Sequence, residues 1–159
     1  MIQPVISIVS GGFDPLTIGH IRLFKEAKEY GDELLVILNN DNWLMAKKGY
    51  TFMPQEERKE ILESIKYVNN VVLTKHEQSP TDMSVCDTLE ELALYYIDYL
   101  KFKLRFCNGG DRGESNIPEY FLCKKLGIEL VFGVGGEKIQ SSSWLVEKVR
   151  KQSETTTGE

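Results

Sequence analysis

The sequence predicts an α/β fold built on one five-stranded parallel sheet wound on both faces, and three observations predict it. Five apolar runs of strand length, at residues 5–9, 34–38, 71–73, 104–107 and 128–132, alternate with segments of helical period. Such alternation gives parallel strands joined by right-handed crossovers, with helices on both sides of the sheet. The residues of unusual chemistry follow the first, second, fourth and fifth runs, beyond the carboxyl ends of strands, where sheets of this kind bind ligands.

The elements follow in order. Val5-Ile6-Ser7-Ile8-Val9 enters the first strand and leaves it through a glycine turn. A helix over residues 18–30 repeats Ile21, Phe24 and Ala27 on one stripe, and Gly31 stands where a helix C-terminal cap belongs. After the second strand, residues 39–49 read as a polar loop carrying Asn39-Asn40-Asp41 and then Lys47-Lys48-Gly49. Pro54 opens the next helix, with Glu56 and Glu57 in its first turn where the helix dipole favours acids. A polar stretch over 76–84 leads to a strongly periodic helix that puts Leu89, Leu92, Ala93, Tyr96, Ile97 and Leu100 on one side. The fourth strand ends abruptly at Asn108-Gly109-Gly110-Asp111, a helix is expected over 118–126, and a last helix over 142–151. Together they make a single Rossmann-like doubly wound domain over residues 1–152, followed by a frayed polar tail over 153–159.

Composition narrows the function. The 159 residues suffice for one domain with a proper core. A net charge of −5 argues against a protein that tracks nucleic-acid phosphates. No apolar run approaches the roughly 20 residues that span a bilayer, and the N-terminus reads as a strand, not a signal peptide. Three cysteines at wide spacing, Cys86, Cys107 and Cys123, fit neither a disulfide framework nor a zinc site, so reduced thiols and a cytoplasmic location are expected. Trp43 and the tyrosines 95, 96 and 99 leave two readings, a homodimer surface or half-buried core.

The first chemical segment is Ser10-Gly11-Gly12-Phe13-Asp14-Pro15-Leu16-Thr17-Ile18-Gly19-His20. Its paired glycines let the backbone turn and present N–H groups, and the helix that follows aims its positive end at the same spot, which suits a triphosphate. Thr17 caps the helix or offers its hydroxyl to a ligand, and His20 sits in the first helical turn facing the phosphates. This string resembles the signature of the cytidylyltransferase-like nucleotidyltransferase superfamily, whose core is a phosphate-binding turn followed by a His- or Thr-x-Gly-His motif. Here the form is Thr17-Ile18-Gly19-His20, the Thr variant found in phosphopantetheine adenylyltransferase, which leaves His20 as the sole motif histidine. The resemblance implies that Gly11, Gly12, Phe13, Asp14 and Gly19 contact the nucleotide and that Thr17 and His20 serve the reaction.

Three further segments extend it. A lysine pair near a triphosphate offers mobile positive charge, and the resemblance implies that Lys47 or Lys48 is catalytic. It also implies that Asp41 and Arg58, the latter within Pro54-Gln55-Glu56-Glu57-Arg58, meet the acceptor's phosphate end. Gly109 and Gly110 permit close backbone approach to a base or ribose, where Asp111 accepts from a sugar hydroxyl. The continuation through Asn116-Ile117-Pro118-Glu119 is most similar to the heptose-phosphate adenylyltransferase branch. In Ser141-Ser142-Ser143 a helix opens on three hydroxyls suited to phosphate, and the family grips the β- and γ-phosphates at this place.

The implied activity is transfer of a nucleoside monophosphate from CTP or ATP to a sugar- or polyol-phosphate, with release of pyrophosphate. Mg²⁺ is expected with the nucleoside triphosphate, and no protein metal site is expected. Phosphopantetheine as acceptor and a catalytically silent nucleotide-binding module are the alternatives. A class I aminoacyl-tRNA synthetase fragment is disfavoured because no Lys-Met-Ser-Lys-Ser stretch occurs.

Overall fold

The computed structural model describes residues 2–110, 112–136 and 141–157. Five strands, β1 (Val5–Gly11), β2 (Glu33–Leu38), β3 (Asn70–Leu73), β4 (Lys103–Gly109) and β5 (Glu129–Val134), form one parallel sheet in the order β3-β2-β1-β4-β5. The chain winds outward from β1 to β3, then crosses back to place β4 on the other side of β1. The winding therefore reverses between β1 and β4.

Successive side chains of the inner strands point to opposite faces, and both faces are apolar, which is why these strands read as unbroken apolar runs. Leu34, Val36 and Leu38 join Phe24 and Ala27 of α1 (Ile18–Lys28) and Leu62 of α3 (Gln55–Glu63) in one core. Leu35 and Ile37 face the other way, with Leu89 and Leu92 of α4 (Cys86–Ala93) and Cys123 of α5 (Tyr120–Leu126). Each fully buried large side chain contributes about 1.5–3 kcal/mol, so neither face is dispensable. Burial pushes the thiols of Cys107 and Cys123 up to about 12, which leaves them as inert core groups.

Three expectations are corrected. Residues 41–48 are not a loop but a helix, α2 (Asp41–Lys48), capped by Asn40, whose Oδ1 accepts from Trp43 N at 3.0 Å, and ended by Gly49 in the left-handed region. Only Leu44 of α2 is buried, so no apolar stripe marks it in the sequence. The long periodic helix changes geometry at Ala93 and continues as a π-helical segment, Leu94–Tyr99. Tyr96 and Ile97 still pack on the core, as the period predicts, while Tyr95 and Tyr99 are exposed. The last helix, α6 (Ser142–Thr157), runs on through residues expected to form a frayed tail.

β4 also extends further than its apolar run, to Gly109, through an irregular register with β5 between Cys107 and Gly109. A Cβ built on Gly109 comes within 2.8 Å of the backbone oxygen of Val134, its partner on β5. Backbone cannot give way as a flexible side chain can. Gly109→Ala is therefore expected to lower the free energy of unfolding by about 1–3 kcal/mol, read as a lower urea midpoint.

Candidate active site

The β1–β4 seam is short. Pairing runs from Val5↔Lys103 to Ile8↔Phe106 and stops there, although β1 continues to Gly11 and β4 to Gly109. Past Ile8, β1 stays with β2 as far as Gly11↔Leu38, while β4 stays with β5. The diverging ends open a cleft of about 300 Å³ lined by Ser10 of β1, Gly19 and His20 of α1, Asn108 and Gly109 of β4, and Ser141. The place is where the reversal of winding puts it.

His20 is held from two directions. Its Nδ1 accepts from the backbone N–H of Thr17 at 2.9 Å, with the Thr17 hydroxyl 3.3 Å away. The imidazole thus stands where a glutamate side chain stands in a capping box. An acceptor at Nδ1 requires the neutral ring to carry its hydrogen on Nε2, so Nε2–H is the donor end. On its flank, Phe13 meets the imidazole edge to face, with centroids 5.0 Å apart and planes at 88°. Phe13 adopts a φ of 49°, uncommon for a bulky residue, and is kept there by packing on His20 and Phe24. It is buried and supports the histidine; it does not line the cleft.

Gly12 makes a second close approach: a Cβ there would sit 2.9 Å from Leu44 Cδ2, so glycine lets the turn lie against α2. Gly11 packs under the Phe13 ring. The buried Asp14 accepts from the N–H groups of Phe52 (2.7 Å) and Met53 (2.9 Å), holding the approach to α3.

Arg58 lies deeper than the sequence suggests. Its guanidinium is fully buried and donates to Met53 O (2.9 Å), Gly12 O (2.8 Å), Asn39 O (2.7 Å) and Asp41 Oδ1 (2.7 Å). The loops after β1 and β2 and the start of α3 are joined through this one side chain. These four contacts hold Arg58 within the protein, and it orients Asp41, whose side chain is 37% exposed.

The two lysines separate clearly. Lys47 is exposed and lines no cavity described. Lys48 is half-buried at the C-terminal end of α2 and faces a second cleft. Desolvation lowers its pKa from the ordinary 10.5, aided by Lys47 and Arg58 and opposed by Asp14. The three serines separate as well. Ser141 lines the first cleft, and its Oγ accepts from Trp144 N at 3.1 Å. Ser142 is buried and donates to Pro15 O at 2.7 Å, tying α6 to the loop after β1. Ser143 faces the second cleft.

Gly110 lines the first cleft, whereas Asp111 lies outside the described residues, as do residues 137–140. Sequence reasoning missed Ser10, Asn108 and Glu26 as site residues. Glu26 accepts from the N–H of Gly135 and so fixes the loop after β5 over α1. It lies in α1 about 1.7 turns beyond His20, and no motif marks it in the sequence.

The cytidylyltransferase-like family profile matches residues 8–108, more than half of the 159 residues. The chain belongs to the cytidylyltransferase-like family. The matched span holds the histidine turn, α2 and Arg58, while the α6 serines lie beyond it. Similar chains include the FAD synthase of Pyrococcus abyssi (strain GE5 / Orsay), 46% identical over 67 residues, or 42% of this chain and 45% of that one. The glycerol-3-phosphate cytidylyltransferase of Bacillus subtilis (strain 168) is 40% identical over 77 residues, 48% of this chain and 60% of its own. The chain thus spans about half the length of the curated relatives it matches.

Among solved structures, the lipopolysaccharide core biosynthesis protein of Thermoplasma volcanium GSS1 superposes with a TM-score of 0.58 at 23% identity, over 81% of this chain and 95% of that one. The bifunctional NMN adenylyltransferase/ADP ribose pyrophosphatase of Francisella tularensis gives 0.54 at 15% identity, over 86% and 39%. At such identities these likenesses speak for the fold alone.

Proposed function

We propose that this member of the cytidylyltransferase-like family is a nucleotidyltransferase that moves a nucleoside monophosphate from CTP or ATP to a phosphomonoester and releases pyrophosphate. The observation that carries the reading is the cleft between the diverging ends of β1 and β4, where the His20 ring and the Ser141 turn of α6 line one space. A phosphate oxygen of the acceptor attacks the α-phosphorus, the bond from that phosphorus to the bridging oxygen breaks, and pyrophosphate leaves. Nε2–H of His20 donates to phosphate oxygens as charge grows on them, and the first turn of α6 offers backbone N–H groups to the departing end. Such catalysis is mostly positioning and charge neutralisation.

Among the described residues, the polar side chains lining the first cleft are the hydroxyls of Ser10 and Ser141, the Asn108 amide, the His20 imidazole and the Arg112 guanidinium, with no carboxylate. That donor set suits Mg²⁺ carried in on the triphosphate and water, as part of the substrate.

Lys48 serves as a cation facing the reacting phosphates. A lysine whose pKa is lowered loses its proton at a lower pH than a free one. Turnover is expected to fall on the alkaline side below the ordinary lysine value of 10.5, with Lys48→Arg shifting that limb upward in a pH–rate profile. The folding linkage has the opposite sign: the unfolded chain binds this proton more tightly, so the group's contribution to stability rises with pH through that window.

Two acceptors follow from the relatives. The glycerol-3-phosphate cytidylyltransferases suggest glycerol 3-phosphate with CTP. FAD contains AMP joined through a pyrophosphate bridge to FMN, and the FAD synthases therefore suggest FMN with ATP. Pyrophosphate release with Mg²⁺ and each of these pairs, a heptose 1-phosphate and phosphopantetheine tests the reading. Turnover with one pair supports it. Nucleotide binding without release from any pair leaves a binding module.

A further inference from the structure

Helix α2 carries Lys48 in its last turn, while its hold on the rest of the fold is concentrated in its first. Asp41 is held from the α3 side by Arg58 and by Gln55, whose Oε1 accepts from Asp41 N at 2.9 Å. Leu44 is buried; beyond it, no side chain of α2 makes a hydrogen bond or an ion pair among the described residues. A helix pinned at one residue and one leucine can still tilt. Lys48 stands about 10 Å along the axis from Asp41, so a tilt of about 10° carries it about 2 Å. A misplacement of about 1 Å can cost about 100-fold in rate, so the angle of α2 matters.

The loop from β3 to α4, residues 74–85, sets that angle by reaching the cap and first turn of α2. Asn40 and Asn42 both donate through Nδ2 to His76 O at 2.9 Å, and the Trp43 indole donates to Met83 O at 2.8 Å. His76 in turn closes the loop on itself. Its Nε2 stands 2.9 Å from Ser84 O, which can only accept, so Nε2 carries the hydrogen and Nδ1 of the neutral ring is an acceptor. The Thr74 hydroxyl donates to Nδ1 at 2.9 Å, and the same oxygen accepts from Asn40 N–H at 3.0 Å. Every hydrogen in the series Asn40, Thr74, His76, Ser84 thus points one way, from the cap of α2 toward the start of α4. Thr74 is buried, so this relay runs largely out of water, where such bonds are strong and costly to leave unmade. Joining His76 to Ser84 holds together the two carbonyls that receive α2, those of His76 and Met83.

We propose that His76 is a positioning residue for the transfer reaction: its ring locks the loop after β3, and the locked loop fixes the angle of α2 and with it the place of Lys48. This rests on the nucleotidyltransferase reading and on the role given there to Lys48. His76 does not line the first cleft; with Thr74 and Ser84 it lines a separate small recess, so its effect on the reaction passes through α2.

Substitutions in the full chain test this. His76→Leu removes both ring bonds, whereas His76→Gln keeps an acceptor and a donor on one planar amide. Turnover is expected to fall about 10- to 100-fold in His76→Leu, with the nucleotide KM within about twofold, and His76→Gln is expected to recover most of the loss. Trp43→Phe loses only the bond to Met83 O and should lower kcat by less; it carries the test if circular dichroism shows His76→Leu unfolded. The readout independent of activity is an NMR titration of the Lys48 side chain in the unliganded chain. Moved out of its half-buried place, Lys48 should titrate closer to the ordinary 10.5 in His76→Leu and Trp43→Phe, and as in the unsubstituted protein in His76→Gln. A loss of stability alone moves neither this titration nor the kcat of folded protein. Unchanged kcat, or an unchanged Lys48 titration, in the folded variants overturns the proposal and leaves the activity. A displaced titration in a chain that releases no pyrophosphate with any pair removes the activity and supports the link from His76 to Lys48.

Discussion

Replacing His20 by alanine is expected to lower turnover about 100- to 1000-fold, the cost of losing a donor aimed at charge that develops in the transition state. The loss should fall on kcat more than on the nucleotide KM, because the first turn of α6, proposed to hold the triphosphate, is left unchanged. Alanine has a second effect, since Nδ1 of His20 accepts from Thr17 N and so secures the start of α1. That bond is worth about 1 kcal/mol of stability, which urea unfolding measures separately. His20→Asn places a shorter side chain there; a variant that keeps stability yet loses turnover assigns the effect to chemistry. Near-normal turnover in His20→Ala would falsify the role given to this ring.

Arg58→Ala is expected to lower the free energy of unfolding by about 3–5 kcal/mol, a large share of a domain's stability. The fully buried guanidinium satisfies three backbone carbonyls, of Gly12, Asn39 and Met53, and pairs with Asp41. Removing it leaves those carbonyls without partners in a space too confined to hydrate them well. Lysine is no rescue, because one ammonium cannot reach four acceptors disposed around a planar fork. A urea midpoint close to that of the unsubstituted protein, together with a raised acceptor KM, returns Arg58 to the acceptor-binding role that its neighbours in sequence suggest.

The strands were legible because both faces of the sheet are buried, so β2 reads as an unbroken apolar run from Leu34 to Leu38. The histidine turn was legible because glycine, threonine and histidine fall at fixed offsets after a strand. α2 was not, since one buried leucine makes no period, although Asn40 and Gly49 were both present as start and stop signals. Nor was the burial of Arg58 and Asp14. Sequence shows that a side chain is charged, while burial depends on which loops the sheet brings together, and here those loops come from residues 12, 39 and 53. Lys47 and Lys48 are identical in type and adjacent; only the direction of the last turn of α2 tells them apart. Of the serines, composition offered three equivalent hydroxyls, and the packing of α6 on Pro15 gave each a different neighbour.

The short β1–β4 seam has a consequence for how this sheet meets the outside. A parallel sheet ordinarily has two edges, and each is a row of backbone donors and acceptors open to any passing strand. Here β1 past Ile8 and β4 past Phe106 form two more, facing one another inside the fold. Each is three residues long, too short and too enclosed to template another chain, yet its peptide groups stand ready for hydroxyls, amides and phosphate oxygens. The sheet thereby gains main-chain recognition groups in its middle without adding a surface that promotes aggregation.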